Sequence, residues 1–277
     1  MMRAGEIESY LRSLRGEGPF PDPDVDTFKS GGPETEVTGI AVGWMSYTWA
    51  LERALALGCS LFVTHEPTYY DHEDADPAVF RLPGARAKRA FIEASGLAIL
   101  RCHDLWDLIP EIGIPDAWGR CLGLGEPVAA ARYLRAYTVE PVQASAFAAA
   151  LAGRLAPFGQ PGVQLLGPAD KTVRRVGIGT GAITPVLEMV ADLAVDAVIA
   201  TDDGIDYWRD GAMAIDLGIP IFVVNHPVSE LAGVEALAEH LRAAFPEVPV
   251  HHIPQRCMYV TIPPQPGAEN GEEEELM

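Results

Sequence analysis

The apolar residues of this chain fall into two rhythms. Short, largely apolar runs, Val37–Val42, Leu61–Thr64 and Leu97–Arg101, read as buried strands. Between them lie longer stretches with helical spacing, Tyr47–Leu57 and Ala85–Ala94, each closed by a glycine, Gly58 and Gly96. Ala4–Leu14, with Leu11 and Leu14, predicts a short leading helix, and the Pro-, Gly- and Asp-rich stretch from Gly16 to Glu36 predicts loop. The second half repeats the layout, with strands at Val173–Ile178, Ala197–Ala200 and Ile219–Val224. Helices are predicted over Thr184–Leu193, over Ala212–Leu217 before Gly218, and over Val228–Ala244. In the middle, Val128–Tyr137 and Ala144–Leu155 predict Ala-rich helices, with a strand near Val163–Leu166; Cys257–Ile262 predicts the last strand. Strand–helix–strand alternation of this kind implies an α/β fold, with mostly parallel sheets covered by helices.

The two halves align. Shifted by 136 positions, Val37-Thr-Gly-Ile-Ala-Val-Gly43 lies over Val173-Arg-Arg-Val-Gly-Ile-Gly179. Later strands lead into His103-Asp-Leu-Trp-Asp107 and His226-Pro-Val-Ser-Glu230, each a histidine followed four residues on by a carboxylate. The pattern reads as an internal duplication. It divides the chain into an N-terminal α/β lobe (1–125), connecting helices and a strand (126–170), a C-terminal α/β lobe (171–265) and an acidic disordered tail (266–277).

Composition narrows the functional classes. With 277 residues, 48% of them apolar, there is material for two packed halves. The net charge is −19, and setting aside the tail glutamates Glu269 and Glu272 to Glu275 leaves −14. Such a surface repels phosphate backbones and anionic lipid, which argues against nucleic-acid and membrane-surface roles. A small anion held by a cation inside a cleft is still compatible with it. Cys59, Cys102, Cys121 and Cys257 form no Cys-x-x-Cys pair, which argues against a disulfide framework or a thiolate zinc site. No stretch approaches the roughly 18 apolar residues of a membrane helix, and the charged start around Arg3, Glu6 and Glu8 does not resemble a signal peptide. A cytoplasmic protein is expected.

Ligands of open α/β sheets bind beyond the carboxyl ends of the strands. Four polar segments emerge there: Thr64-His-Glu-Pro67, His103 to Asp107, Thr201-Asp-Asp-Gly204 and His226 to Glu230. If the last opens a helix, its spacing puts His226 and Glu230 on one face. Imidazole nitrogen with carboxylate oxygen is the donor mix of zinc, manganese or iron sites. The alternative for His65 and His226 is a strand cap bonded to backbone. His103 is a direct ligand, an orienting group or a proton carrier. His72 reads as a loop residue, and His240, His251 and His252 as packing or surface residues. Gly177-Ile-Gly-Thr-Gly181 reads as a close-approach loop beside the pocket, with room for a substrate anion. Trp44, Tyr69, Tyr70, Trp106, Tyr207 and Trp208 flank these loops and would wall a cavity or pack between subunits.

Over roughly residues 37 to 262 the chain resembles the NIF3-like proteins, the type 2 homologues of GTP cyclohydrolase I. The family's Thr-His-His-Pro motif matches Thr64-His65-Glu66-Pro67, and its His-Thr-Asn-Leu-Asp motif matches His103 to Asp107. Its Gly-Gly-Ser-Gly loop matches Ile178 to Gly181, its Thr-Gly-Glu/Asp turn matches Thr201 to Asp203, and its closing motif matches Asn225 to Glu230. The resemblance implies two similar α/β lobes, a toroidal homohexamer, and a one- or two-metal centre made by His65, Glu66, Asp107, His226 and Glu230. Glu66 replaces the motif's second histidine, which would make the centre harder and tilt it from zinc or iron toward manganese or magnesium. The family's N-terminal Trp-Asp-Asn-Val-Gly segment is also missing; Asp26 to Gly31 only loosely takes its place. The expected function is a metal-dependent hydrolase of a small molecule, with His103 or Glu66 carrying the proton. The alternative is a non-catalytic metal-binding or scaffolding protein acting through protein partners.

Overall fold

A computed structural model describes residues 1–15 and 21–263. The predicted tail at 266–277 and the first residues of the predicted loop at Gly16–Glu36 lie outside the described residues. In chain order the elements of the first lobe are α1 (Ala4–Leu14), β1 (Phe28–Ser30), β2 (Ile40–Gly43), α2 (Thr48–Ala56), β3 (Leu61–Thr64), α3 (Pro83–Ser95), β4 (Ala98–Arg101), α4 (Asp104–Asp107) and α5 (Ile114–Cys121). There follow β5 (Ala129–Ala131), β6 (Leu134–Gln143), α6 (Ala144–Leu155), β7 (Gln164–Leu166), β8 (Thr172–Ile178), α7 (Val186–Asp192), β9 (Ala197–Thr201), α8 (Tyr207–Leu217), β10 (Ile221–Val224), α9 (His226–Ala244) and β11 (Val250–His252).

The strands make two sheets, ordered β1-β4-β3-β2-β11 and β5-β6-β8-β9-β10-β7. The apolar runs lie at their centres: every residue of β2, β3, β4, β9 and β10 is buried, as parallel strands covered on both faces must be. The sheets are mixed rather than mostly parallel. In the first, β2, β3, β4 and β11 are parallel and β1 runs against β4. In the second only the β8–β9–β10 trio is parallel, while β5, β6 and β7 enter antiparallel.

Three predicted elements are corrected. Val128–Tyr137 is a hairpin, not a helix: Ala131 faces Leu134 across a tight turn in which Arg132 takes a left-handed φ of 48°. Alanine's helix propensity is overridden because Leu134, Ala136 and Tyr137 gain a buried place beside β8. Cys257–Ile262 pairs with no strand among the described residues; its Cys257 N–H donates to Phe158 O and its Met258 N–H to the Asn225 side chain. The strand that closes the first sheet is β11 instead, a short segment with too little alternation to register in sequence. Within the predicted loop, Phe28–Ser30 pairs with β4.

α9 joins the two lobes. It begins at the end of β10, in the second sheet, yet Leu231, Val234, Leu237, Ala238 and Leu241 pack into the core of the first. α5 lies against it, and the approach is so close that a Cβ at Gly233 would stand 2.9 Å from the Ile114 Cα. Trp106 fastens the crossing by donating its indole N–H to Gly233 O at 2.8 Å. This joint brings the strand ends of both sheets to one place. No described helix is long and apolar enough to cross a membrane.

Candidate metal centre

The predicted site residues follow the ends of buried strands, on the turns and helices that open there. At the end of β3, the Thr64 hydroxyl donates to Glu66 O at 3.0 Å and fixes the turn that presents His65 and Glu66. The His65 Nδ1–H donates to Cys102 O at 3.1 Å, which turns Nε2 inward toward the carboxylates. At the end of β4, Asp26 accepts from the backbone N–H groups of His103 and Leu105, capping α4 and aiming Asp107 into the same space. At the end of β10, Asp202 accepts from His226 N–H at 2.9 Å and from the Asn225 amide at 2.7 Å. α9 then carries Glu230 one turn beyond His226.

The side chains converge from both lobes. His65 Nε2 lies 3.5 Å from Asp107 Oδ1 and 3.5 Å from Glu230 Oε2. His226 Nε2 lies 3.1 Å from Glu230 Oε2 and 3.0 Å from Glu66 Oε1. Among the described residues, two groups have the spacing to hold a cation, His65 with His103 and Asp107, and His65 with Glu66 and Glu230. The fit to a metal does not rest on spacing alone. His65 Nε2 and Asp107 Oδ1 are fully buried and neither has a hydrogen-bond partner. Buried polar atoms are ordinarily satisfied, so two orphans facing one another across a space lined with carboxylates mark a place for a cation.

The electrostatics agree. Burial opposes protonation of His65, but Glu230 and Asp107 outweigh it and hold the imidazolium up to about 10. Burial likewise opposes the charge on His226, and Glu230, Asp203 and Glu66 raise it far above the usual imidazole range. Asp107 is pushed up to about 6 by burial, against the pull of His65 and His103. Glu230 is held well below the usual carboxylate range despite its burial, by His226 and His65. Protons on the histidines thus supply the positive charge these carboxylates demand, which a divalent cation would supply better.

His103 stacks on His65, with ring centroids 4.6 Å apart. Its Nδ1 is 2.8 Å from Asp104 Oδ1, and its Nε2 is 3.9 Å from Glu66 Oε1. Burial works against protonation here too, but Asp107 and Asp104 raise its pKa. His72 stands edge-on to His103 at the mouth, whereas His240 is bonded to Tyr10 and His252 lies near Glu235, both away from the centre. The glycine loop is a close-approach loop: at Gly181, with φ +55°, a Cβ would lie 2.5 Å from Glu230 Oε1. Its N–H is committed to Ser229 Oγ at 3.2 Å.

A cavity of about 350 Å³ opens onto Glu66 and His226, walled by Trp44, Tyr70, Met258 and Tyr259. A second mouth, of about 250 Å³, reaches the centre past His103, Tyr133 and Thr180. Of the aromatics expected near the site, Trp106 is core, and Tyr207 and Trp208 are exposed on α8. Sequence reading misses four contributors: Asp26, Arg101 behind Glu66, Asp203, whose Oδ2 is 2.8 Å from His226 Nδ1, and the Trp44 indole, which donates to Glu230 Oε2 at 2.6 Å. Asp203 lies within the polar turn that follows β9, and Asp26 opens the segment loosely matched to the family's N-terminal motif; Trp44 is expected as a cavity wall but not as a donor to Glu230, and Arg101 leaves no signal beyond adjacency.

The sequence profile of the family described as Duf34/NIF3 (NGG1p interacting factor 3) matches residues 4–257. A GTP cyclohydrolase 1 type 2 homolog from Allochromatium vinosum is 27% identical over 70% of this chain and 74% of its own. Among solved structures, protein ybgI superposes with a TM-score of 0.71 at 20% identity, covering 95% of this chain and 99% of that one. TTHA1606 from Thermus thermophilus gives 0.69 at 17% identity, over 94% and 99%. At these identities the structural matches speak to fold.

Proposed function

The chain belongs to the Duf34/NIF3 family, and on that premise we propose that it is a metal-dependent hydrolase acting on a small molecule held in the cavity beside Trp44 and Tyr70. The observation that carries the reading is the pair of buried, unpartnered atoms His65 Nε2 and Asp107 Oδ1, 3.5 Å apart among carboxylates from both lobes. His65, Glu66, Asp107, His226 and Glu230 would hold one or two divalent cations, with Glu230 within reach of both histidines. Bound there, such cations supply Lewis acidity and bring a water toward ionisation at neutral pH.

The chain's own residues supply the rest. His103, oriented by Asp104 through Nδ1, presents Nε2 toward Glu66 and takes or returns the proton at that atom. Asp203 holds His226 by Nδ1 and keeps Nε2 turned to the centre. Trp44 fixes Glu230 so that the shared carboxylate does not swing. The cavity lining contains Glu66, Asp71, Asp202 and Asp203 but no lysine or arginine. A triphosphate, the substrate type evoked by the name of the Allochromatium relative, would meet no lysine or arginine among the described lining residues and four carboxylates, and a neutral or amine-bearing substrate suits that lining better.

The test is metal analysis of natively purified protein, followed by a screen of chromogenic esters, anilides and phosphoesters. Metal bound at one or two ions per chain, with a hydrolytic activity lost in His103→Gln while the metal is retained, is the expected result. A fully metallated protein inert across the screen would favour a metal-binding scaffold instead.

A further inference from the structure

The carboxylates of the centre share their buried space with one permanent cation. Arg101 ends β4 and is 1% exposed. Its Nε donates to His65 O at 3.1 Å, and its Nη1 donates to His72 O, so the guanidinium spans the turn that carries Glu66. The remaining amino group, Nη2, is buried without a hydrogen-bond partner and lies 3.9 Å from Glu66 Oε2. The other oxygen of Glu66, Oε1, faces the opposite way, 3.0 Å from His226 Nε2. Glu66 is therefore stretched between a fixed cation behind it and the centre ahead of it.

We propose that Arg101 is a positioning residue that makes Glu66 a one-oxygen ligand. It draws Oε2 back and leaves Oε1 forward, and it offsets the carboxylate's charge, so that the pair acts toward the centre as a charge-neutral oxygen donor. The proposal rests on the metal reading above and deepens it. Arg101 is a suitable partner because a guanidinium stays charged when buried and can bond two carbonyls while facing a carboxylate. At 3.9 Å the pair is not hydrogen-bonded, but in a water-poor interior the attraction at that distance is strong. A neutral side chain at position 66 would leave the guanidinium buried without its one carboxylate within 4 Å among the described residues and facing the cations, an arrangement a buried charge tolerates poorly.

The experiment is a double-substitution cycle on EDTA-stripped full-length protein, reading zinc and manganese affinity by competition with a chromophoric chelator. Thermal unfolding of each metal-free protein is followed in parallel. Glu66→His supplies a good ligand but strands Arg101, and it should bind metal about 10-fold more weakly than the parent. Adding Arg101→Gln, which keeps one amide donor for the turn but removes the charge, should regain that loss and raise the melting temperature of the stripped protein. Arg101→Gln alone should give no such gain. Arg101→Lys, which keeps the charge, should not relieve Glu66→His. If Arg101→Gln yields no folded protein, Arg101→Met makes the same comparison. Equal effects of the Arg101 substitution in both backgrounds, or relief by Lys as large as by Gln, overturn the proposal while leaving the metal reading intact. Absence of metal binding in the parent and in every variant overturns both.

Discussion

The two sides of the centre are built differently. On the His65 side, the imidazole is fully enclosed, its Nδ1 is tied to a backbone carbonyl, and Asp107 rides on a helix capped by the buried Asp26. On the His226 side, Nδ1 is tied to Asp203, whose side chain is 55% exposed, and Glu66 and His226 line the open cavity. A donor anchored to the buried backbone carbonyl of Cys102 is held more firmly than one anchored to an exposed carboxylate side chain. On the proposed reading the first side holds a cation permanently, and the second exchanges its cation and meets substrate.

Glu230 joins the two sides, so its loss should erase the difference between them. Glu230→Gln leaves both histidines without their shared carboxylate, and metal content should fall to near zero, an affinity loss beyond about 100-fold at both positions. Elemental analysis after native purification reads this directly; an unchanged metal content would show that Glu230 is not the shared ligand. Asp107→Asn should separate the two sides. The enclosed cation should be lost and the cavity-facing one weakened less, so titration with zinc should pass from two classes of site to one. Loss of both in this variant would mean that the sides are not independent.

How much of this contrast is legible in the sequence follows from the kind of signal each part leaves. The enclosed core strands, β3 and β10 above all, are continuous apolar runs, and the histidines sit at the residue where each run stops. Those positions need no tertiary information. The repeated spacing of a histidine and a carboxylate four residues on then marks Asp107 and Glu230 as partners, and the resemblance to the NIF3-like motifs agrees with it. What is not legible depends on contacts distant in sequence. Asp26 lies 77 residues before the His103 N–H it caps, and Trp44 lies 186 before the Glu230 it holds. The hairpin at β5 and β6 is hidden for a related reason: its alanines favour helix locally, and only the neighbouring β8 makes strand the better choice. The mixed sheets follow from that miss, since β5 and β6 supply two of the antiparallel pairings.

The histidines of both sides should also set the pH response of the metal-free protein. His65 is raised above its unfolded value to about 10. Its contribution to stability is therefore fully present below the unfolded pKa of about 6.5 and is lost as pH rises through about 10. His226 is raised in the same direction. Glu66 and Glu230 are lowered, so they are ionised in both states across this window and add no slope. The EDTA-treated protein should lose melting temperature between about pH 7 and 9.5, while the zinc-loaded protein, whose His65 already lacks the Nε2 proton, should hold nearly level. Parallel curves for the two forms would mean that the cation and the proton do not compete for His65.

The smallest effect belongs to the exposed tether. Asp203→Asn keeps an oxygen at the same distance from His226 Nδ1 but removes the charge, so the imidazole should still point inward while donating less strongly to a cation. Weakening should be at the low end of the range for such outer partners, about 10-fold, and confined to the cavity-facing position. Zinc titration of the metal-free variant should show the tighter class of site unchanged and the weaker class shifted. The same substitution should leave the high-pH loss of stability carried by His65 in place, because Asp203 touches only the other histidine. A shift in both classes would mean that the two sides respond as one unit, and that the difference in their burial has no counterpart in how they hold metal.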